Sequence, residues 1–466
     1  MNLDQLPNEL LEHICSFITA KTIRDLFNVN TKLRAFVVMN VYRRHIQHMA
    51  KSDPNLEFLL HQMNWSHSSM DYEVILNVFL KLDSKERWLR EPATYEKCLY
   101  ESPSSVAHTM KVSACALYKD KFFLSFVGGN VESRSCSDLH LINTLHQSPL
   151  LHDPTEPAFL TTPMSLYEDK LAVSVPQEAT VFLWNADTEE ELAIFHVPPE
   201  ISRIYQIKVN GTHLVCLGSW SLITWRYVSN PIQPFEVLED IPDRRIPSTT
   251  NVYFEVHAMD INDEFVITHA SQPLISSVYG SGPRTFTFLT CRRLLDGSNG
   301  RLLSHLTQPN KSAISHLEVQ KLKLSSSTYN LLAIMQCSEV LSFNHTIKIM
   351  KIPSGEMIKN VMEDLSFGGE VRSPIQWVNN RLFLKYAPKI RDFDEDGNPQ
   401  DVIMKFWNCE TNEEVSVEHV GLNCLHEKVL VDHSRVISFL NRRHRSDSGD
   451  ELIHQICAKT YDFWNN

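Results

Sequence analysis

The sequence predicts an α+β multidomain chain: a small all-α front, a helical linker, and a large all-β remainder built from repeated units. Three observations predict it. Apolar residues recur at helical spacing over residues 6–18, and a helical texture persists to about residue 105. From about residue 106 the pattern changes to short strand-type runs separated by polar turns. Those runs recur as similar units to the end of the chain. At 466 residues the chain is also too long for one compact core, so a small domain beside a large one is expected.

The opening helix places Leu10, Leu11, Ile14, Phe17 and Ile18 on one side. Pro7 suits a first helical position, and Asn8 and Glu9 bring acceptors and negative charge to the N-terminal amides. A second short set is Ile23, Leu26, Phe27 and Val29. Asn30 and Thr31 offer a cap for a third, which carries Leu33, Phe36, Val37 and Val41. Helices this short bury little core alone, so the unit needs cover from elsewhere. The order Leu6-Pro7-x-Glu9-Leu10-Leu11-x-x-Ile14-x-x-Phe17-Ile18, then Leu26-x-x-Val29-Asn30-x-x-Leu33, resembles an F-box occupying residues 1–45. The resemblance implies docking onto a Skp adaptor, which links to a cullin scaffold. It assigns that docking to Leu6, Pro7, Leu10, Ile14, Phe17, Leu26, Val29 and Leu33.

Residues 46–105 read as the helical linker. Leu56, Leu59, Leu60 and Met63 form one amphipathic set; Tyr72, Ile75, Leu76, Phe79, Leu80 and Leu82 form another. No Gly/Ser-rich tether interrupts them, which predicts a semi-rigid spacer that fixes distance.

The repeat over residues 106–466 is clearest in its second unit. Met164–Tyr167 is followed by the turn Glu168-Asp169, by Lys170–Val175, and then by Thr180–Asn185 with its Trp184. Equivalent turns are Lys119-Asp120, Asn210-Gly211, Asn262-Asp263, Asn379-Asn380 and His433-Ser434, the chemistry tight hairpins require. Third-run anchors align at Ile142, Trp184, Trp225, Leu295, Met350, Trp407 and Trp464, spaced 41 to 70 residues apart. This pattern resembles a divergent WD-repeat β-propeller of seven blades, with six or eight left open by the 70-residue gap. No unit keeps the Trp-Asp pair, and the Gly-His signature is missing. The tryptophans are expected to pack between blades. Trp464 leaves the seventh unit without a fourth strand, which is expected from residues 95–110, closing the ring.

Composition excludes several classes. The formal charge is −12, and residues 1–105 carry 12 basic against 13 acidic side chains, so the negative charge sits on the remainder. That is a poor match to a nucleic-acid binder, which needs a clustered positive face. No 18-residue apolar run exists to span a membrane, and Asp4 and Pro7 interrupt any signal-type segment. Ten cysteines without a Cys-x-x-Cys pair fit reduced thiols in the cytoplasm or nucleus. Residues 392–397 open like a calcium loop, but Ile403 stands where a bidentate Glu is needed, so no metal or other cofactor is expected.

Enlarged second-to-third-run loops at 128–137, 270–284, 388–401 and 441–451 carry Arg134, Arg284, Lys389, Arg391, Arg442, Arg443 and Arg445. A basic rim of this kind would capture an acidic or phosphorylated protein substrate through charge-assisted contacts. Solvated loop charges are the plainer alternative, because Asp394, Glu395, Asp396, Asp447 and Asp450 dilute the field. The two resemblances together imply a non-catalytic substrate-recognition subunit of an SCF-type ubiquitin ligase. Its effect would be proximity, a client lysine held near a thioester. The alternative is a propeller scaffold for protein assembly with no ligase role.

Overall fold

The structure, a computed structural model, describes residues 6–15, 30–51, 54–62, 72–83, 88, 91–103, 111–148, 161–175, 178–199, 204–218, 222–228 and 234–238. Beyond these it describes 255–274, 284–294, 301–305, 317–325, 327, 329–338, 345–362, 375–378, 381–386, 403–409, 412–417, 420, 426–445 and 452–463. Helix α1 (Asn8–Cys15) starts where the Pro7 carbonyl accepts from the Leu10 and Leu11 amides at 3.1 Å. Helix α2 (Thr31–Phe36) is capped by Asn30, whose Oδ1 accepts from the Leu33 amide at 2.9 Å, as the Asn30-Thr31 pair predicts. It runs through a π-helical turn, Val37–Tyr42, into α3 (Arg43–Lys51). Helices α4 (Pro54–Gln62) and α5 (Tyr72–Asp83) follow. Leu11, Leu33, Val37, Val38, Ile46, Leu56, Leu60, Ile75 and Val78 share one core. The N-terminal helices and the linker helices therefore pack as one body, and α3 crosses the boundary drawn at residue 45.

Seven antiparallel four-stranded sheets make a seven-bladed β-propeller. The first strands of blades 1 to 7 are Val112–Tyr118, Met164–Tyr167, Ile204–Val209, Glu255–Ile261, Leu317–Leu324, Ile375–Val378 and His426–Val431. First strands of adjacent blades touch from blade 7 through blade 1 to blade 6, and the first strands form the wall of the central channel. Blade 7 continues with Arg435–Arg445 and Leu452–Asp462, and its fourth strand is Ala93–Pro103, paired from Ala93 with Asp462 to Pro103 with Ile453. Ring closure by a strand from before the first blade is what the missing fourth strand predicts. The strand nevertheless begins inside the stretch expected to be helical, so the propeller starts at Ala93 and not at residue 106. The reason is positional. A fourth strand lies at the sheet's outer edge, where polar Glu96 and Lys97 are tolerated and the alternation that betrays a strand is weak.

The hairpin turns are held by their leading residues. Asn210 Oδ1 accepts from the Thr212 and His213 amides at 2.9 and 2.7 Å, and Asn262 Oδ1 from the Glu264 and Phe265 amides at 3.0 and 2.9 Å. Their amide groups then reach the next blade: Asn210 Nδ2 donates to the Asn262 carbonyl at 2.8 Å, and Asn262 Nδ2 to the Ser325 carbonyl at 3.1 Å. One residue type thus closes a turn and locks two blades.

Three of the seven predicted anchors are displaced. The second residue of each second strand pairs with the anchor, and in blades 2, 3, 5 and 6 that partner is Trp184, Trp225, Met350 and Trp407, as predicted. In blade 1 it is Arg134, not Ile142, which lies in the fourth strand Leu141–His146. In blade 4 it is Arg292 and in blade 7 Tyr461; Leu295 and Trp464 fall outside the described residues. In blades 4 and 7 the large apolar residue stands three positions beyond the paired anchor, which is an arginine or a tyrosine. Trp184, Trp225 and Trp407 are buried against the preceding blade, confirming their packing role.

Candidate functional site

Two surfaces carry the sequence-predicted site residues, and the first is the outer side of α1. Leu11 and Cys15, four residues apart, face the helical core. Leu10 and Ile14, also four residues apart, flank that face; Pro7 is exposed, Leu10 is 50% exposed and Ile14 half-buried. Leu6 is partly buried against the core. Leu33, expected to dock, is instead 2% exposed, packed inside the unit's own core. Phe17, Leu26 and Val29 lie outside the described residues.

The helical unit is pinned to the propeller at two places. Asn55 of α4 donates through Nδ2 to the Leu117 carbonyl at 3.4 Å and accepts from the Lys119 amide, both at the first turn of blade 1. Trp88 inserts between blades 6 and 7, with ring centroids 4.6 Å from Phe406 and 4.8 Å from Phe463. Trp88 falls within residues 46–105, whose pattern predicts a helical linker; a lone Trp ahead of Pro92 is the signal that separates it. Between these pins lies a cavity of about 360 Å³ lined by Phe58 and Leu59 from α4 and by Cys136 and Arg435 from blades 1 and 7. Arg435 there is held by Asp432, Nη2 to Oδ2 at 2.9 Å.

The second surface is the predicted basic rim, which the structure revises. Arg134 is no loop residue. It lies in the third strand of blade 1 (Val131–Ser135), is 5% exposed, and pairs through Nε with Glu132 Oε1 at 2.7 Å. Arg284 opens the strand Arg284–Arg293, and Arg442, Arg443 and Arg445 end the strand Arg435–Arg445. They occupy the distal ends of two lengthened hairpins, in blades 4 and 7, where loops were expected. Lys389 and Arg391 lie outside the described residues, as does the calcium-like stretch at 392–397. Among the described residues no cluster of ligands able to hold a metal is found, no disulfide joins the cysteines, and no helix is long and apolar enough to cross a membrane.

No family model and no curated protein matches the chain. Among solved structures it is similar to the Myceliophteria thermophila Cps50 (Swd1) β-propeller domain, at 10% identity over 78% of this chain and 99% of that one, with a TM-score of 0.45. It is also similar to the computationally designed Ika8 protein, at 13% identity over 75% and 97% of the two chains and a TM-score of 0.41. Kluyveromyces lactis Hsv2 is similar at 8% identity over 78% and 99%, with a TM-score of 0.38. These are likenesses of fold. A propeller is compatible with protein-interaction or scaffold roles, its loops and rims being the surfaces that vary.

Proposed function

We propose that the chain is the substrate-recognition subunit of an SCF-type ubiquitin ligase, of the F-box/WD-repeat kind. One observation carries the reading: Pro7 and Leu10 are exposed and Ile14 is only half-buried, beside the Leu11 and Cys15 face that is already packed. A Skp adaptor covers those residues and brings a cullin with it. The chain itself does no chemistry and needs no cofactor. The propeller holds an acidic or phosphorylated client through the distal hairpins that bear Arg284, Arg442, Arg443 and Arg445. The assembly works in the cytoplasm or nucleus, away from membranes and nucleic acid.

The test is co-purification of adaptor and cullin with the tagged full-length chain. Leu10→Asp with Ile14→Asp is expected to abolish it. Each buried aliphatic anchor contributes about 1.5–3 kcal/mol, so the pair lowers affinity by two orders of magnitude or more. Leu10 is exposed, so the single variant Leu10→Asp should keep its Tm and serves as the control for folding, since Ile14 is half-buried. Retained adaptor binding in that double variant would overturn the docking face. A propeller scaffold without ligase role is the second reading, favoured by the burial of Leu33 in the unit's own core. It stands if the wild-type chain recovers neither adaptor nor cullin.

A further inference from the structure

The central channel holds a cationic cluster that nothing above explains. Lys208, Asp260 and Lys323 each lie two residues before the first turn of blades 3, 4 and 5, so the register puts them at one level of the channel wall. The other blades place Ala116, Ser165, Gln376 and Leu430 at that level, none of them charged. Lys208 Nζ meets Asp260 Oδ1 at 2.6 Å, while Asp260 Oδ2 accepts from the Leu324 amide at 2.7 Å. The one carboxylate is thereby spent on a lysine and a backbone amide. Among the described residues no carboxylate forms an ion pair with Lys323 or with Lys428 of blade 7.

The electrostatics agree with the geometry. Lys323 lies beside Lys208, and that repulsion, together with burial, brings Lys323 down to about 8. Burial pushes the Cys115 thiol up to about 11, while the charges of Lys428 and Lys323 pull against it, so both cations act on the same part of the channel. Lys208 and Lys323 beside one carboxylate, with Lys428 near Cys115, leave an excess of positive charge in a chain whose formal charge is −12.

We propose that the channel binds a phosphate-type oxyanion, held by Lys208 and Lys323 with Lys428 as the third cation. A multiply charged tetrahedral anion turns the repulsion between the lysines into attraction. Lysine ammonium groups are compact point charges with rotatable donors, which suits that geometry. A planar carboxylate would be better met by the forked guanidinium of an arginine. The inference stands apart from the ligase reading and needs only the ring of first strands.

The experiment is calorimetric titration of the full chain with inorganic phosphate in low-salt chloride-free buffer, with O-phosphoserine as a parallel arm. Lys323→Met and Lys428→Met are compared with wild type, with thermal unfolding in each buffer. Removing a repelled cation leaves the fold intact, so without phosphate Lys323→Met should unfold at a higher temperature than wild type. With phosphate the order should reverse. Affinity should fall about tenfold or more in Lys323→Met, since one charge-assisted hydrogen bond is worth at least that. Tighter binding of phosphate assigns the site to the free ion, and tighter binding of O-phosphoserine assigns it to a phosphorylated side chain. Absence of saturable binding of either, or equal affinity and equal thermal shifts in wild type and Lys323→Met, overturns the proposal.

Discussion

Where blades 2, 3 and 6 carry Trp184, Trp225 and Trp407, blade 1 carries Arg134, and a polar group fills a site shaped for an indole. Arg134 Nη1 also donates to the Leu139 carbonyl at 3.1 Å, and the Tyr100 hydroxyl donates to Glu132. Burial first, and then Glu132, push Tyr100 up to about 12. Tyr100 belongs to the closing strand Ala93–Pro103, so the buried pair also ties the ring shut. Arg134→Leu leaves Glu132 uncompensated and is expected to cost about 3–5 kcal/mol in urea unfolding. The double change Glu132→Gln with Arg134→Leu should recover part of that loss. Lys323 sets a pH dependence of stability. Lys208, Asp260 and Cys115 face it, and Lys428 lies near Cys115. Its folded value of about 8 lies below the ordinary 10.5, so below pH 8 the folded state bears the full repulsion. The unfolded chain holds the proton longer as pH rises, so this contribution gains stability between about pH 8 and 10.5. Denaturant midpoints across that window should climb more in wild type than in Lys323→Met.

Among the elements, the turns were the most legible and the closing strand the least. Asn210 and Asn262 act through hydrogen bonds to amides two and three residues away, which a sequence displays directly. The strand Ala93–Pro103 owes its form to Leu452–Asp462, more than three hundred residues downstream, and its own polar composition does not announce it. Trp88 belongs to the same class: its partners Phe406 and Phe463 come from blade 6 and from the end of the chain. Trp88→Ala is expected to cost about 3–5 kcal/mol, as for other large-to-small core changes. Hydrogen exchange should then quicken in Ala93–Pro103, which follows Trp88 directly, and change little in blades 2 and 3.

At the scale of the molecule, Asn55 fixes the helical unit to the first-turn face of the propeller. Antiparallel strands put the second-to-third hairpins at the opposite face, so the ends bearing Arg284 and Arg445 point away from α1. Handle and rim are separated by the thickness of the ring, and the two pins hold that distance. A chain of residues 84–466 keeps the closing strand and should elute as a folded monomer. A chain of residues 106–466 lacks it, leaving the edge of Leu452–Asp462 open, and should aggregate. Size-exclusion chromatography with light scattering separates the outcomes.

The sequence by itself determined the helical front with its Asn30 cap, the propeller repeat, the Asn-led turns and the packing role of Trp184, Trp225 and Trp407, because each rests on periodicity or on hydrogen bonds within a few residues. Tertiary structure alone decided that Leu33 is buried and Leu10 exposed, since both are leucines on amphipathic helices and only the packing of α2 to α5 separates them. It alone converted Arg134 from a rim charge into a buried partner of Glu132, and gathered Lys208, Lys323 and Lys428 from three blades into one channel. Contacts between residues hundreds of positions apart leave no periodic trace, and those contacts are where charge and burial are finally set.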